Sequence, residues 1–199
     1  MRLFVAIELP ESWRAEATAA RRWLLDRLRQ SSGEGVDDQP GLRFTSPERL
    51  HLTMRFLGEV EGPVLPALQQ QLAGEVVAVD VPLELAALGT FGSRGRPNVV
   101  WLGLGGDLDG LQATRVAVDR ALAVAGVEVD DQPLRPHITL ARVDRRATPG
   151  QRRAIRAAIE EIEAPVSARF VAREVVLVRS HLERDVRYEV LGRYPRASI

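Results

Sequence analysis

Two stretches, HLTMRFLG at residues 51–58 and HITLAR at residues 137–142, decide how this chain is read. The protein has only three histidines, and two of them open the same His-x-Thr pattern on an apolar, strand-like segment. On a strand, residues i and i+2 point the same way. His51 and Thr53 therefore share one face, and Leu52 and Met54 share the other. His137 and Thr139 are arranged alike, with Ile138 and Leu140 opposite. The apolar pair anchors each strand, and the polar pair is turned to the other side.

The elements around the motifs repeat. The first half reads as a strand at 3–9, a helix at 11–30, a polar loop at 31–41, a strand pair within 42–60 around a Ser-Pro turn, a helix at 62–76 and a strand at 81–91. The second half reads as a loop at 92–98, a strand at 99–104, a helix at 107–126, a strand at 135–143, a helix at 148–163 and strands at 166–182 and 186–195. Trp13, Ala17, Ala20, Leu24 and Leu28 fall near helical spacing. Asp107 is a natural N-cap, and Thr148 with Pro149 suits a cap followed by the first helical position. The two His-x-Thr motifs hold equivalent places in halves of roughly 1–91 and 92–195. This predicts an α+β fold in a single domain over 1–199, with two pseudo-two-fold-related lobes of antiparallel sheet, helices on the outer faces and a central cleft that holds both motifs.

Two imidazoles facing one ligand make a general acid–base pair, because histidine titrates near neutrality. Either histidine can take either role. Each threonine hydroxyl can donate to a non-bridging oxygen. The set suits in-line displacement at a phosphodiester and needs no metal. A dinuclear metal site would need carboxylate ligands that the pattern does not place. Arginine is the natural partner of phosphate, since its planar fork binds two oxygens. Strict alternation puts Arg55 on the His51 face and turns Arg142 away from the His137 face, unless the strand ends or bulges there. Arg94 and Arg96 stand beside Phe91 in the expected loop at 92–98, which is the composition of a nucleotide grip or of a plain hairpin turn. His181 has no threonine two residues on and reads as a strand-end residue.

Composition narrows the chemistry. Every one of the 27 basic residues is arginine, which excludes Schiff-base and P-loop lysines. The absence of cysteine excludes disulfides, thiolate zinc sites and a cysteine nucleophile, and fits a cytoplasmic protein. No apolar run reaches 18 residues, so no membrane helix is expected. The basic residues are balanced by 27 acidic ones, which argues against a protein that coats nucleic acid without specificity.

MRLFVAIELP, LRFTSPERLHLTMRFLGEV, PLRPHITLARV and VLVRSHLERDVRYEVLGRYP together resemble the RNA 2′,3′-cyclic phosphodiesterases, or 2′-5′ RNA ligases, of the two-histidine phosphoesterases. The resemblance implies a bilobal fold and hydrolysis of RNA 2′,3′-cyclic phosphate ends to 2′-phosphomonoesters, with no cofactor and no metal. It also implies 2′-5′ joining of RNA ends in the reverse direction. It makes His51 the proton donor, His137 the proton acceptor, and Thr53, Thr139 and Arg142 the residues that hold the phosphate. The implied partner is an RNA end, bound by a monomer. Two other functions stay open at this point: a cyclic phosphodiesterase for a small nucleotide such as ADP-ribose 1″,2″-cyclic phosphate, and a low-turnover protein that binds RNA ends.

Overall fold

A computed structural model describes residues 1–31, 41–93, 96–128, 130–162, 169–181 and 186–195, so the expected loop at 31–41 lies almost wholly outside the described residues. The apolar run that opens the chain is β1 (Arg2–Glu8). Its side chains alternate between two environments. Leu3, Val5 and Ile7 enter the main core, while Phe4 and Ala6 join a smaller cluster on the opposite face. Burial on both faces is why this strand reads as an unbroken apolar run. Helix α1 (Glu11–Ser31) follows, and Trp13, Ala17, Ala20, Leu24 and Leu28 are all buried, as their spacing predicts.

The first motif lies on β3 (His51–Glu59), entered from β2 (Leu42–Phe44) through a single turn at Pro47–Arg49. Helix α2 (Leu65–Glu75) leads to the long hairpin of β4 (Val81–Ser93) and β5 (Arg96–Gly106). The loop expected at 92–98 is therefore mostly strand. Gly92, at a φ of 139°, absorbs a register shift there, and a Cβ at that position would collide with the Arg96 carbonyl. Helix α3 (Leu108–Val124) starts at Asp107, whose carboxylate accepts from the Gly110 N–H at 2.8 Å. The second motif lies on β6 (His137–Val143). Helix α4 (Pro149–Glu161) opens with a capping box between Thr148 and Gln151. The strand expected at 166–182 is divided into β7 (Phe170–Ala172) and β8 (Val175–His181), and β9 (Arg187–Tyr194) ends the described chain.

The nine strands among the described residues form one antiparallel, curled sheet in the order β7-β4-β5-β6-β3-β1-β8-β9, with β2 also paired to β6. The helices pack on the outer face, α1 against α4 and α2 against α3. The expected bilobal α+β fold is thus observed. The strand order also shows an exchange: β4 leaves the first half of the chain to pair with β5, and β8 and β9 leave the second half to extend the β1 edge.

The lobes join where β3 meets β6, and the register there has a single pair, Leu52 with Ile138. Both are fully buried. Further along, the same edge of β6 pairs with β2 through residues 141–143, so β3 is free to diverge. Truncation at this junction removes packing from both lobes at once. Leu52→Ala is expected to destabilise the protein by about 2–5 kcal/mol, read as a lower urea midpoint with an unchanged slope.

Candidate active site

The single Leu52–Ile138 pair places four polar side chains together. Leu52 and Ile138 face the core, so His51, Thr53, His137 and Thr139 face the concave side, and all four are half-buried. Continuing the antiparallel register sets His51 across from Thr139 and Thr53 across from His137.

Each imidazole is held in the same way. The Nδ1 of His51 lies 2.8 Å from the Arg49 carbonyl, and the Nδ1 of His137 lies 2.6 Å from the Arg135 carbonyl. A carbonyl only accepts, so Nδ1 carries the proton in both rings and Nε2 is the nitrogen left for a ligand. Aromatic rings brace the imidazoles from the side. Phe4 and Tyr188 stand 4.8 and 5.5 Å from His51, and Phe91 meets His137 edge-on at 4.8 Å. Trp101, paired across from Thr139, lies against Phe91 and over Gly89, where a Cβ would collide with its ring. Glu8 is directly across from His51 but is engaged by Arg193, which also bridges Glu174.

Alternation breaks in both motifs at the same point. Between β1 and β3 the register steps from Ala6–Thr53 to Val5–Arg55, which leaves Met54 as an extra residue. Between β5 and β6 it steps from Trp101–Thr139 to Val100–Ala141, which leaves Leu140 extra. Each bulge puts two consecutive side chains inward: Met54 with Arg55, and Leu140 with Ala141. The following residues, Phe56 and Arg142, return to the side of the histidines and are exposed.

The expectation for the arginines is therefore reversed. Arg142 is on the histidine side, because the bulge undoes the alternation that would turn it away. Arg55 is turned inward: it is 7% exposed and bonded to Asp119 and Asp130, and it forms part of the wall of the hollow beside the motifs. Arg43 on β2 pairs directly across from Arg142, so a second exposed guanidinium shares its face. Sequence reading missed Arg43, because a three-residue strand carries no visible register. Arg94 lies outside the described residues. Arg96 is exposed at the turn end of β5, three positions before Val99, the partner of Arg142. His181, on β8, is paired at 2.8 Å with Glu189 of the edge strand β9. A hollow of about 320 Å³ opens beside the motifs, lined by Thr53, Arg55, Phe56, Phe91, Leu134 and His137 among others.

Similarity to known proteins agrees with this architecture. The 2′-5′ RNA ligase superfamily matches residues 10–184. The RNA 2′,3′-cyclic phosphodiesterase of Geobacillus stearothermophilus is 32% identical over 165 residues, covering 82% of this chain and 51% of that one. Its namesake from Aeropyrum pernix is 38% identical over 120 residues, covering 60% of this chain and 65% of that one. The chain thus spans about half the length of the first relative and just under two thirds of the second. Among solved structures, TT0787 of Thermus thermophilus superposes with a TM-score of 0.66 at 27% identity, over 97% of this chain and 96% of that one. E. coli LigT in complex with 3′-AMP gives 0.65 at 28% identity, over the same shares of the two chains. The fold is that of the two-histidine phosphoesterases. The chain belongs to the 2′-5′ RNA ligase superfamily.

Burial drives the His51 pKa below the ordinary imidazole value of 6.5; the Arg49 carbonyl opposes this, and the nearby His137 adds to it. In the free protein, His51 is therefore expected to titrate below 6.5 when its Cε1 proton is followed by NMR. His137→Ala removes one lowering influence, so it should move the midpoint upward; a midpoint that stays put or falls would contradict the facing arrangement.

Proposed function

We propose that this protein hydrolyses 2′,3′-cyclic phosphate ends of RNA to 2′-phosphomonoesters by general acid–base catalysis between His137 and His51. The observation that carries this reading is the pairing of two His-x-Thr motifs across the lobe junction, each histidine tied through Nδ1 and leaving Nε2 for the substrate. The relatives named as RNA 2′,3′-cyclic phosphodiesterases support the choice of substrate.

In the proposed reaction, His137 Nε2 takes a proton from water as the water oxygen attacks phosphorus. The bond from phosphorus to the 3′ oxygen breaks, and that oxygen takes a proton from His51 Nε2. The 2′ ester is retained. Thr53 and Thr139 donate to the non-bridging oxygens, and Arg142, with Arg43 beside it, neutralises their charge. Replacing water by the 5′-hydroxyl of a second RNA gives a 2′-5′ linkage through the same proton transfers. A bound phosphodiester anion favours charged His51, offsetting the burial that disfavours the charged ring in the free protein. The two imidazoles supply both transfers, so the scheme uses no metal. The reading is of a monomer in the cytoplasm; no helix among the described residues is long and apolar enough to cross a membrane.

The test is an RNA oligonucleotide ending in a 2′,3′-cyclic phosphate, with the product resolved as 2′- or 3′-phosphomonoester. His51→Ala and His137→Ala are each expected to lower kcat by about 10²–10⁴-fold with circular dichroism unchanged. Activity is expected to survive EDTA, and a collapse on chelation would exclude the metal-free scheme. A clear preference for ADP-ribose 1″,2″-cyclic phosphate in the same assay would replace RNA as the substrate. RNA bound tightly by the double-histidine variant, with no turnover in the parent, would make the protein a binder.

The substrate anion also predicts a pH signature. The ionisation of His51 enters kcat/KM as it stands in the free enzyme, and enters kcat as it stands in the complex. Because burial lowers the first and the phosphate raises the second, the His51 midpoint followed by NMR is expected at higher pH with a bound nucleoside 2′-phosphate than in the free protein.

A further inference from the structure

Among the described residues only two charged side chains are buried, and they belong to one cluster. Arg55 on β3 and Arg115 on α3 are 7% and 5% exposed. Asp119, one turn beyond Arg115, accepts from Arg55 Nε at 2.8 Å and Nη2 at 3.2 Å, and from Arg115 Nε at 2.9 Å. The remaining guanidinium bonds go to two backbone segments. Arg115 Nη1 donates to the carbonyl of Met54, the extra residue of the first bulge, at 2.7 Å. Arg115 Nη2 donates to the Gln132 carbonyl at 3.4 Å, and Arg55 Nη1 to the Asp130 carbonyl at 2.7 Å and its carboxylate at 3.1 Å.

The cluster thus ties the bulge that follows His51 and Thr53 to the segment that leads into His137. Three residues beyond Gln132 stands Arg135, whose carbonyl holds the His137 ring. The bulge alone does not call for an arginine, because the equivalent position in the second motif is Ala141. Stability does not explain the cluster either: a buried ion-pair group is often no more stabilising than apolar residues of the same volume. What these fixed forks supply is a defined distance between two segments that the sheet joins only through Leu52 and Ile138.

We propose that Arg55, with Arg115 and Asp119, is a positioning group that sets the two histidines at their working separation and orientation. The inference rests on the reading that both histidines carry the chemistry. Arg55→Met, confirmed as folded by circular dichroism, is expected to lower kcat by about 10²-fold, the effect of a misplacement near 1 Å. KM for the cyclic-ended RNA and affinity for a nucleoside 2′-phosphate should change little. The Nδ1–H signal of His137 in long-range ¹H–¹⁵N spectra should shift, although the substitution is on the other motif's strand. Arg55→Lys keeps the charge but not the fork, and carries the same readouts if the methionine variant does not fold. A folded variant with parental kcat, or with an unmoved His137 signal, would overturn the proposal. Full turnover in His51→Ala or His137→Ala would instead remove the catalytic reading, while the His137 signal would still test the tie between the segments.

Discussion

The site depends on one apolar contact. Leu52 and Ile138 are the only residues through which the two motif strands pair, and both are buried. Side chains alternate along a strand, so burying these two turns the residues on either side of each to the concave face. Two histidines and two threonines are thereby assembled from positions 86 residues apart in the chain, with no contact among the four required to hold them. The hydrophobic effect does the assembling, and the polar groups are left available for a ligand. Because β3 and β6 touch at one pair and then part, the same contact also creates the opening between the lobes.

Around that contact the protein uses one device twice and then departs from it. Both motifs hold the imidazole by a carbonyl two residues upstream, and both carry a bulge immediately after the threonine. Each bulge returns the next exposed residue to the histidine side, Phe56 in one lobe and Arg142 in the other. The lobes therefore present different groups at equivalent places, an aromatic ring and a guanidinium. The inward positions differ as well, Arg55 against Ala141, and here the added charge is met by Asp119 and Asp130. A pseudo-symmetric frame thus carries an asymmetric site.

Much of the fold was legible because local rules govern it. The buried stripe of α1, the Asp107 cap and the Thr148 capping box follow from spacing and end chemistry within a few residues. The hairpin boundary at 92–98 was misread because Gly92 works there as a bend within a ladder, and a glycine in a loop looks the same in sequence. Of the site, His51, Thr53, His137 and Thr139 were legible, since a period of two places each pair on one face whatever the rest of the chain does. The aromatic braces were not, because Phe4, Phe91 and Tyr188 reach the histidines from other strands.

The sequence by itself determined the motif pairs, the helices and their caps, the exclusion of thiol and lysine chemistry, and the resemblance that names the family. Those readings need only neighbours along the chain or the presence of a residue type. The tertiary structure alone decided which arginine faces the histidines. A bulge is a property of two strands in register, and it exchanged the places that alternation assigns to Arg55 and Arg142. It also decided the exchange of β4 with β8 and β9 between the lobes and the placing of Arg43 beside Arg142, because strand order is set by packing between elements and not by their order in the chain.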